Sequence, residues 1–418
     1  MASADHCGRL KARDGLTNWS RCFLQPFGRS AQGSLVSPFR LGLVELAPDV
    51  SGGAATYGRA IRQILTDLSA EVGFELIRFA NQSSAHAISG LDSKVVYYQK
   101  WKKSGIGGRL DRVRDVVRNR TGANEIDTLP VALKKNSIDL AWFLAPNQVI
   151  SQVGRTPFVM TVWDLAHREV QGFPEFAKDG SWALRESWYQ KNIGRAFHVV
   201  TDSVHTGASL ERIYGLFAQH WSSAGLPLPG TVQSDTSLAS EIEGKYFYYP
   251  ASFWSHKNHR VLIDALQLVA DQNATLVFTG TDEGMEAAVR AYAMEKLVPE
   301  RVTFLGRVSD EQVQGLISRA HAVVMPTFLG PTNYPPLEAL RHGVPVIASD
   351  VHHFDSVPTS GLSLLDPFSP KLWAEEISSS LHKRPAVSGL VAEDTQALET
   401  LKKIVTNFSQ VKSASDFS

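Results

Sequence analysis

Residues 325–350, MPTFLGPTNYPPLEALRHGVPVIASD, are compatible with few folds. Pro335 and Pro336 fit the first turn of a helix, because the first backbone N–H groups of a helix have no partner within it. The helix would end at Gly343, a residue that readily adopts the left-handed conformation of a helix C-terminus. Residues 344–348 form a short apolar run, which is typical of parallel strands covered on both faces. The stretch therefore predicts a loop, a short helix and a buried parallel strand.

The loop in this stretch leads into a helix N-terminus, where free N–H groups and the positive end of the helix dipole attract anions. Asn333 or Thr332 can cap the first turn, and Glu338 follows one turn inside the helix. A glutamate is an unusual neighbour for a phosphate unless it meets a sugar hydroxyl. The stretch has two interpretations: a ligand site, or a crossover loop in which Glu338 only favours its own helix dipole.

A second informative pattern lies near the start of the chain. Residues 39–46 alternate and then become apolar, which predicts a first strand, and residues 54–68 predict a helix. Gly52 and Gly53 lie between them and would let a ligand approach the backbone closely. A strand, a glycine turn and a helix open a doubly wound α/β domain, although the full G-x-G-x-x-G fingerprint is absent. A tight turn used only for packing is the alternative.

Apolar runs and helical patterns alternate along the rest of the chain and predict two domains of ordinary size. One segment between them is rich in Gly, Pro, Ser and Thr, which is typical of a linker. The predicted division is a disordered extension at 1–38, an N-terminal Rossmann-like domain at 39–215, a linker at 216–244, a C-terminal Rossmann-like domain at 245–390, and a terminal helix and tail at 391–418.

Composition excludes several classes of protein. The 42 basic and 42 acidic residues give zero formal net charge, so no electrostatic argument favours nucleic acid as a partner. The two cysteines lack metal-ligand spacing, which fits a reducing, cytoplasmic compartment. No apolar run approaches the roughly 18 residues of a membrane span. Residues 100–120 mix Lys and Arg with apolar residues, and predict either a helix on an anionic membrane surface or a solvated helix face.

Two further loops carry candidate ligand-binding side chains. A predicted strand ends just before Trp163 and Asp164, with His167 close behind, at the edge where open α/β sheets bind ligands. His167 can equally be a structural hydrogen-bonding group. Lys257 lies in a loop just before a predicted helix, where a lysine suits a phosphate. A simple surface lysine is the other interpretation.

These motifs resemble those of the family 4 retaining glycosyltransferases, the glycosyl transferases group 1. Residues 335–339, PPLEA, match the second half of that family's E-G-F-G-L-P-x-L-E-A donor signature, and residues 343–347, GVPVI, match the strand after it. Lys257 and Asn258 match the family's K-N element. Residues 161–165, TVWDL, align with its T-x-H-D-L segment. The landmarks recur in the family's order over about residues 40–370.

Three positions depart from the family pattern. The first glutamate of the donor signature falls on Gly330, the usual arginine falls on Ala251, and the usual histidine falls on Trp163. These departures concern the roles of single residues and leave the predicted fold unchanged.

The resemblance implies a GT-B fold, in which two Rossmann-like α/β domains face each other across a cleft. The N-terminal domain would hold the acceptor and the C-terminal domain the nucleotide sugar. The implied reaction, in polysaccharide biosynthesis, is the retaining transfer of a hexose from a GDP- or UDP-linked donor to a glycan or lipid-linked acceptor, without a metal or other cofactor. The implied catalytic residues are Glu338, Lys257, Asp164 and His167, and the implied donor-binding residues are Gly52, Gly53, Asn258, Gly306, Arg307, Val308, Gly330, Thr332, Asn333 and Tyr334.

Two other functions fit the same fold. A non-catalytic nucleotide-sugar-binding or partner subunit is suggested by the three departures from the family pattern. A sugar-nucleotide epimerase would require acid and base carboxylates, which the sequence does not identify. The fold alone does not decide among these functions.

Overall fold

A computed structural model describes residues 39–46, 52–81, 94–99, 127–146, 150–151, 153–230, 233–330, 333–350, 360–387 and 393–416. These residues form two parallel β-sheets with helices packed against them, within one compact unit. The predicted extension at 1–38, the basic stretch at 100–120 and Thr332 lie outside the described residues.

The first sheet has eight parallel strands in the order β4-β3-β2-β1-β5-β6-β7-β8. Its strands are β1 (Arg40–Val44), β2 (Glu75–Asn81), β3 (Lys94–Gln99), β4 (Asp127–Thr128), β5 (Leu140–Phe143), β6 (Phe158–Val162), β7 (His198–Thr201) and β8 (Trp221–Ser223). The helices of this part are α1 (Gly53–Val72), α2 (Leu129–Lys135), α3 (Ala166–Glu169), α4 (Pro174–Ala177), α5 (Ser181–Asn192) and α6 (Val204–Tyr214). The strand order reverses between β1 and β5, so a crevice is expected beyond their carboxyl ends.

Part of the segment predicted as a linker, residues 216–244, belongs to the first sheet, because β8 pairs with β7. Close packing holds β8 against α6: a Cβ atom on Gly207 would lie 2.1 Å from the ring of Trp221. The indole Nε1 of Trp221 also donates a hydrogen bond to Glu211 at 2.7 Å. The segment was predicted as a linker because it is rich in Gly, Pro, Ser and Thr, and a strand of this length gives no clear sequence pattern.

The second sheet has six parallel strands in the order β11-β10-β9-β12-β13-β14. Its strands are β9 (Lys245–Pro250), β10 (Ala274–Thr279), β11 (Val302–Gly306), β12 (Ala322–Met325), β13 (Val346–Ser349) and β14 (Leu362–Leu365). The later helices are α7 (Ser237–Ser240), α8 (His259–Leu268), α9 (Glu286–Glu295), α10 (Asp310–Arg319), α11 (Tyr334–Arg341), α12 (Pro370–His382) and α13 (Glu393–Asp416). The order reverses between β9 and β12, which places a ligand crevice at the loops that follow these two strands.

Local sequence signals set the ends of the helices around this crevice. α10 begins with the capping box that its sequence predicts: Ser309 Oγ accepts from the backbone N of Gln312 at 3.2 Å, and Gln312 Oε1 accepts from the backbone N of Ser309 at 3.0 Å. α11 carries prolines in its first turn, and Gly343, just beyond its end, has a φ of 70°. The predicted helix and buried parallel strand within residues 325–350 are confirmed.

The last helix packs against the first domain. The ring of Phe408 lies 5.2 Å from that of Phe39 and 5.3 Å from that of Phe197, and Lys402 pairs with Glu71 on α1. α13 thus follows the second sheet in the chain but contacts the first domain. Among the described helices, including the long α1 and α13, none has both the length and the apolar character of a membrane span.

Candidate active site

A cleft of about 770 Å³ lies where loops from the two sheets meet. The start of α1 lines it from the N-terminal domain, and the loops after β9, β10, β11 and β12 line it from the C-terminal domain. It brings together these predicted site residues: Gly52, Gly53, Lys257, Arg307, Val308, Asn333, Tyr334 and Glu338. Gly306 directly precedes Arg307 in the chain. Its carbonyl accepts a hydrogen bond from the backbone N of Gly280 at 2.9 Å.

Lys257 ends a one-turn 3-10 helix in the loop after β9. Its carbonyl accepts a hydrogen bond from Tyr249 at 2.7 Å, which fixes the backbone, while its ammonium has no hydrogen bond or ion pair among the described residues. Burial lowers the pKa of Lys257 to about 8. A partly buried cation without a partner is costly, so this site favours an incoming anion.

The N-terminus of α11 supplies hydrogen-bond donors to the same cleft. Asn333 is only 4% exposed, and its Nδ2 has no partner in the part of the chain that the structure describes. It occupies the position before the helix, but its side chain does not cap the first turn, contrary to one sequence prediction. Pro335 and Pro336 have no N–H, so the donors at this end are limited to Asn333 and the backbone of Tyr334.

The start of α1 faces the cleft without an internal cap. Gly52 precedes the helix with a φ of 66°, a conformation that favours glycine, and it offers no side chain for capping. No acidic residue occupies the first turn. The first N–H groups of this 20-residue helix are therefore available to an anion in the cleft.

Glu338 is the carboxylate that the cleft presents beside these donors. Burial raises the pKa of Glu338 to about 7, and the charge of Asp310 adds to the rise. A hydrogen bond from Gln314 and the charges of Arg59 and Arg341 act in the opposite direction. A carboxyl group that ionises near neutral pH in a cleft is typical of a functional site.

Two contacts bridge the cleft, and sequence reasoning assigned neither. Arg59 on α1 lies 3.0 Å from Asp310 on α10, with 38% of the arginine side chain exposed. Glu175 on α4 accepts hydrogen bonds from His256, from the backbone N at 2.9 Å and from Nδ1 at 2.7 Å. His256 precedes Lys257 in a loop that the sequence had singled out, whereas nothing in the sequence distinguishes Arg59 or Glu175.

His167 does not line the cleft, which corrects the prediction that it contacts a ligand. Its side chain is 0% exposed, and Nε2 lies 3.1 Å from Glu186. Tyr214 and Arg168 donate to the same carboxylate at 2.9 and 2.8 Å. Burial opposes the charge of Glu186, but these hydrogen bonds together lower its pKa to about 2. His167 turns away from the cleft because the chain folds into a short helix that directs it toward Glu186.

We expect His167→Ala to lower stability and leave ligand affinity unchanged. The change removes a buried hydrogen bond to a charged group, which contributes about 1.5–3 kcal/mol. Chemical denaturation and calorimetric nucleotide binding to the folded protein measure the two effects. His382→Ala, in a histidine on the exposed end of α12, is the control. Normal stability with impaired ligand binding would restore a ligand-contacting role for His167.

Asp164 and Trp163 also serve mainly to hold the N-terminal domain together. Asp164 Oδ1 accepts hydrogen bonds from the backbone N of Ala166 at 2.9 Å and from Arg185 at 3.2 Å. The ring of Trp163 packs edge-on against Tyr57, with 5.9 Å between ring centroids. Neither Asp164 nor Trp163 lines the cleft. The predicted catalytic role of Asp164 is therefore not supported by its position.

Asn258 and Gly330 are likewise outside the cleft lining. Asn258 has a φ of 55°, and its Nδ2 donates to the carbonyls of Pro326 at 3.1 Å and Pro367 at 2.8 Å. This amide joins the loop after β9 to the loops after β12 and β14. Gly330 is buried at the end of its described segment.

Gly280, at the end of β10, lets three cleft loops pack closely. Its φ is 150°, and a Cβ atom there would lie 2.4 Å from the carbonyl oxygen of Ala251. We expect Gly280→Ala to lower stability by about 1–3 kcal/mol, the usual cost of overpacking, and to weaken nucleotide binding. Thermal melting and calorimetry check both effects, with Gly194→Ala as control because a Cβ there meets no atom within 4 Å. If Gly280→Ala leaves the melting temperature and nucleotide affinity unchanged, glycine is not required at position 280.

Within the described residues, no group of three or more His, Cys, Asp or Glu side chains is arranged to hold a metal ion.

Known proteins resemble part of the chain in sequence. Residues 234–393 match the glycosyl transferases group 1 family. This match includes the loops of Lys257 and Glu338, and it confirms the predicted group 1 resemblance over that region. The O-antigen chain mannosyltransferase RfbU of Salmonella typhimurium is 27% identical over 198 residues, which are 47% of this chain and 54% of that protein. The chain thus spans about half the length of this curated relative.

Solved structures resemble nearly the whole chain. Sucrose-phosphate synthase from Thermosynechococcus elongatus has a TM-score of 0.61 at 19% identity, covering 89% of this chain and 94% of its own. Anabaena HepE, solved in complex with UDP and glucose, has a TM-score of 0.59 at 15% identity, covering 91% and 100%. At these identities the likeness establishes the fold alone. The fold is GT-B, with two parallel-sheet Rossmann-like domains, as the group 1 resemblance predicted.

Proposed function

We propose that this protein is a retaining glycosyltransferase that moves a hexose from a nucleotide sugar to a glycan or lipid-linked acceptor. The observation that carries the proposal is that Lys257, which has no partner among the described residues, lies in one cleft between the two domains with Asn333, the start of α1 and Glu338. Negative charge grows on the leaving diphosphate as the glycosidic bond breaks. A cation and fixed N–H dipoles stabilise that charge in a partly closed site.

The parts of a nucleotide sugar have distinct partners in this proposal. Lys257, Asn333 and the start of α1 bind the diphosphate, and Glu338 accepts hydrogen bonds from ribose hydroxyls. The backbone around Arg307 meets the base. With the diphosphate charge met by these groups, the reaction proceeds without a bound metal. Retention follows from the resemblance to the group 1 enzymes, and the anomeric configuration of the product tests it.

The acceptor and the compartment complete the proposal. The curated relative is an O-antigen chain mannosyltransferase, which makes GDP-mannose the first donor to test and a glycan or lipid-linked sugar the first acceptor. We place the protein in the cytoplasm, with contact to a membrane surface as an option that the basic residues 100–120 suggest.

Thermal melting with GDP-mannose, UDP-glucose and ADP-glucose tests donor binding. A ligand that binds only the folded state stabilises it by about 2.7 kcal/mol at a concentration of 100 times Kd. We expect one of these nucleotides to raise the melting temperature, and the sugar acceptor to trigger its release as nucleoside diphosphate. Failure of every nucleotide to shift the melting temperature would contradict the proposal.

A nucleotide-sugar-binding subunit without transferase activity is the second candidate. The observation that favours it is the position of the residues around the T-x-H-D-L-like segment: Trp163 packs on Tyr57, and His167 is buried. Both candidates predict donor binding. They differ in catalysis: a transferase hydrolyses the donor and transfers its sugar, whereas a binding subunit does neither with any pair of donor and acceptor.

A further inference from the structure

His256 is a cleft residue whose chemistry the proposed function does not yet use. Its backbone N donates to Glu175, and its carbonyl accepts from Phe328 at 2.9 Å and from Thr327 at 3.2 Å. Nδ1 lies 2.7 Å from the same Glu175 oxygen. Backbone and ring are therefore held in one position by groups from both domains.

The hydrogen bond to Glu175 also defines which ring nitrogen carries the proton. An ionised carboxylate only accepts hydrogen bonds, so Nδ1 carries the proton and donates it. Burial opposes the charge of Glu175, but the hydrogen bonds from His256 lower its pKa. Burial and the adjacent Lys257 charge lower the pKa of His256 by more than the hydrogen bond and charge of Glu175 raise it. The imidazole is accordingly neutral at pH 7, and Nε2 is a hydrogen-bond acceptor.

Nε2 is free to meet a ligand. It has no hydrogen-bond partner among the described residues. Unlike Nδ1 of His167, which is fully buried without a partner, Nε2 of His256 is accessible. About a tenth of the ring is accessible, the side chain being 10% exposed. Phe176 and Phe173 flank the ring at centroid distances of 5.2 and 6.2 Å, which prevents it from turning away.

This arrangement places a fixed neutral acceptor one residue from the unpaired cation of Lys257. A ligand that satisfies both carries a hydroxyl close to an anionic group, as the sugar of a nucleotide sugar does beside its diphosphate. We propose that His256, oriented by Glu175 of the opposite domain, accepts a hydrogen bond from a hydroxyl of the donor sugar. This inference rests on the proposed function and names a sugar-contacting residue within that site.

Two substitutions separate this role from a purely structural one. Asparagine at this position places an amide near the Nδ1 position, so His256→Asn keeps the hydrogen bond to Glu175 and loses the acceptor at Nε2. Glutamine places its side-chain oxygen near the Nε2 position, so His256→Gln keeps the acceptor and loses the bond to Glu175. The readout is the ratio of two affinities, GDP-mannose against GDP and UDP-glucose against UDP, measured by calorimetry on the full chain.

We expect the wild-type protein to bind one nucleotide sugar more tightly than the matching nucleoside diphosphate. His256→Asn should reduce that advantage by about 3- to 10-fold, the loss of one hydrogen bond, with the affinity for the diphosphate and the melting temperature unchanged. His256→Gln should retain the advantage.

Other outcomes overturn the inference. An equal loss of affinity for both ligands in His256→Asn makes His256 a contact that only holds the domains together. An unchanged ratio, or a wild-type protein with no preference for the sugar-bearing ligand, excludes contact with the sugar. If the wild-type protein binds none of the four ligands, the proposed function fails as well, and the two failures are thereby distinguished.

Discussion

Replacing Lys257 by methionine is expected to weaken nucleoside diphosphate binding by about 1.5–3 kcal/mol, or about 10- to 150-fold. The ammonium has no partner among the described residues, so its interaction with a diphosphate is not shared with an internal carboxylate. Methionine keeps most of the apolar stem and removes the charge. Calorimetry with GDP and UDP, beside guanosine and uridine, measures the effect, and the bare nucleosides should bind as before.

Lys371→Met is the matched control, because this lysine lies on α12 with 81% of its side chain exposed. It should leave every affinity unchanged. If Lys257→Met weakens the nucleoside and the diphosphate equally, Lys257 is structural and the diphosphate subsite is wrongly placed.

The pKa of Lys257, about 8, adds a pH dependence to this prediction. The wild-type affinity for diphosphate should fall as the pH rises through about 8, because the ammonium is lost, while Lys257→Met shows no such fall. The folded-state pKa lies below the ordinary 10.5, so the folded protein releases this proton first and gains stability between about pH 8 and 10.5. At pH 7 the partly buried charge of Lys257 is destabilising, and the methionine variant should melt no lower than the wild type.

Glu338→Gln is expected to weaken the nucleoside and the diphosphate to the same degree, unlike Lys257→Met. A carboxylate that accepts hydrogen bonds from ribose hydroxyls contributes about 1.5–3 kcal/mol, because hydrogen bonds to charged groups are the strong ones. Glutamine keeps the shape and one acceptor oxygen but removes the charge. Calorimetry at pH 8, where Glu338 is mostly ionised, should show the largest difference from the wild type.

The same substitution has a pH-dependent effect on stability. Burial raises the folded-state pKa of Glu338 from 4.5 to about 7, so the folded protein holds this proton longer than the unfolded chain. The wild type therefore loses stability as the pH rises from about 4.5 to 7. Glu338→Gln lacks this loss: the two proteins should differ little near pH 4.5, and the variant should melt higher above pH 7.

Glu375→Gln, in a carboxylate that is 58% exposed on α12, provides the control and should change neither affinity nor the pH dependence of melting. A Glu338→Gln protein that melts lower than wild type above pH 7 but binds nucleotide normally would show that the carboxylate stabilises the fold instead of binding ribose.

The features of the protein that can be predicted from its sequence are those that depend on residues close together in the chain. Apolar runs of strand length and glycine turns predict parallel α/β domains because each strand and helix is a local pattern. The prolines before α11, Gly343 beyond it, and the capping box of Ser309 set helix ends through residues close in sequence. Lys257 and Glu338 reach the cleft because strand order reverses where their loops emerge, which places those loops together in any doubly wound sheet.

Tertiary structure decided the features that depend on distant residues. His167 lies just after the carboxyl end of β6, where cleft residues are expected. Its side chain is nevertheless buried, because it contacts Glu186 on another helix. The pKa values of Lys257 and Glu338 depend on burial, which no short motif encodes. Glu175 and His256 are 81 residues apart, and Arg59 and Asp310 are 251 apart, so only the approach of the two domains pairs them. Sequence spacing specifies which loops share an edge of a sheet, whereas charge pairing and burial across a cleft require the packed domains.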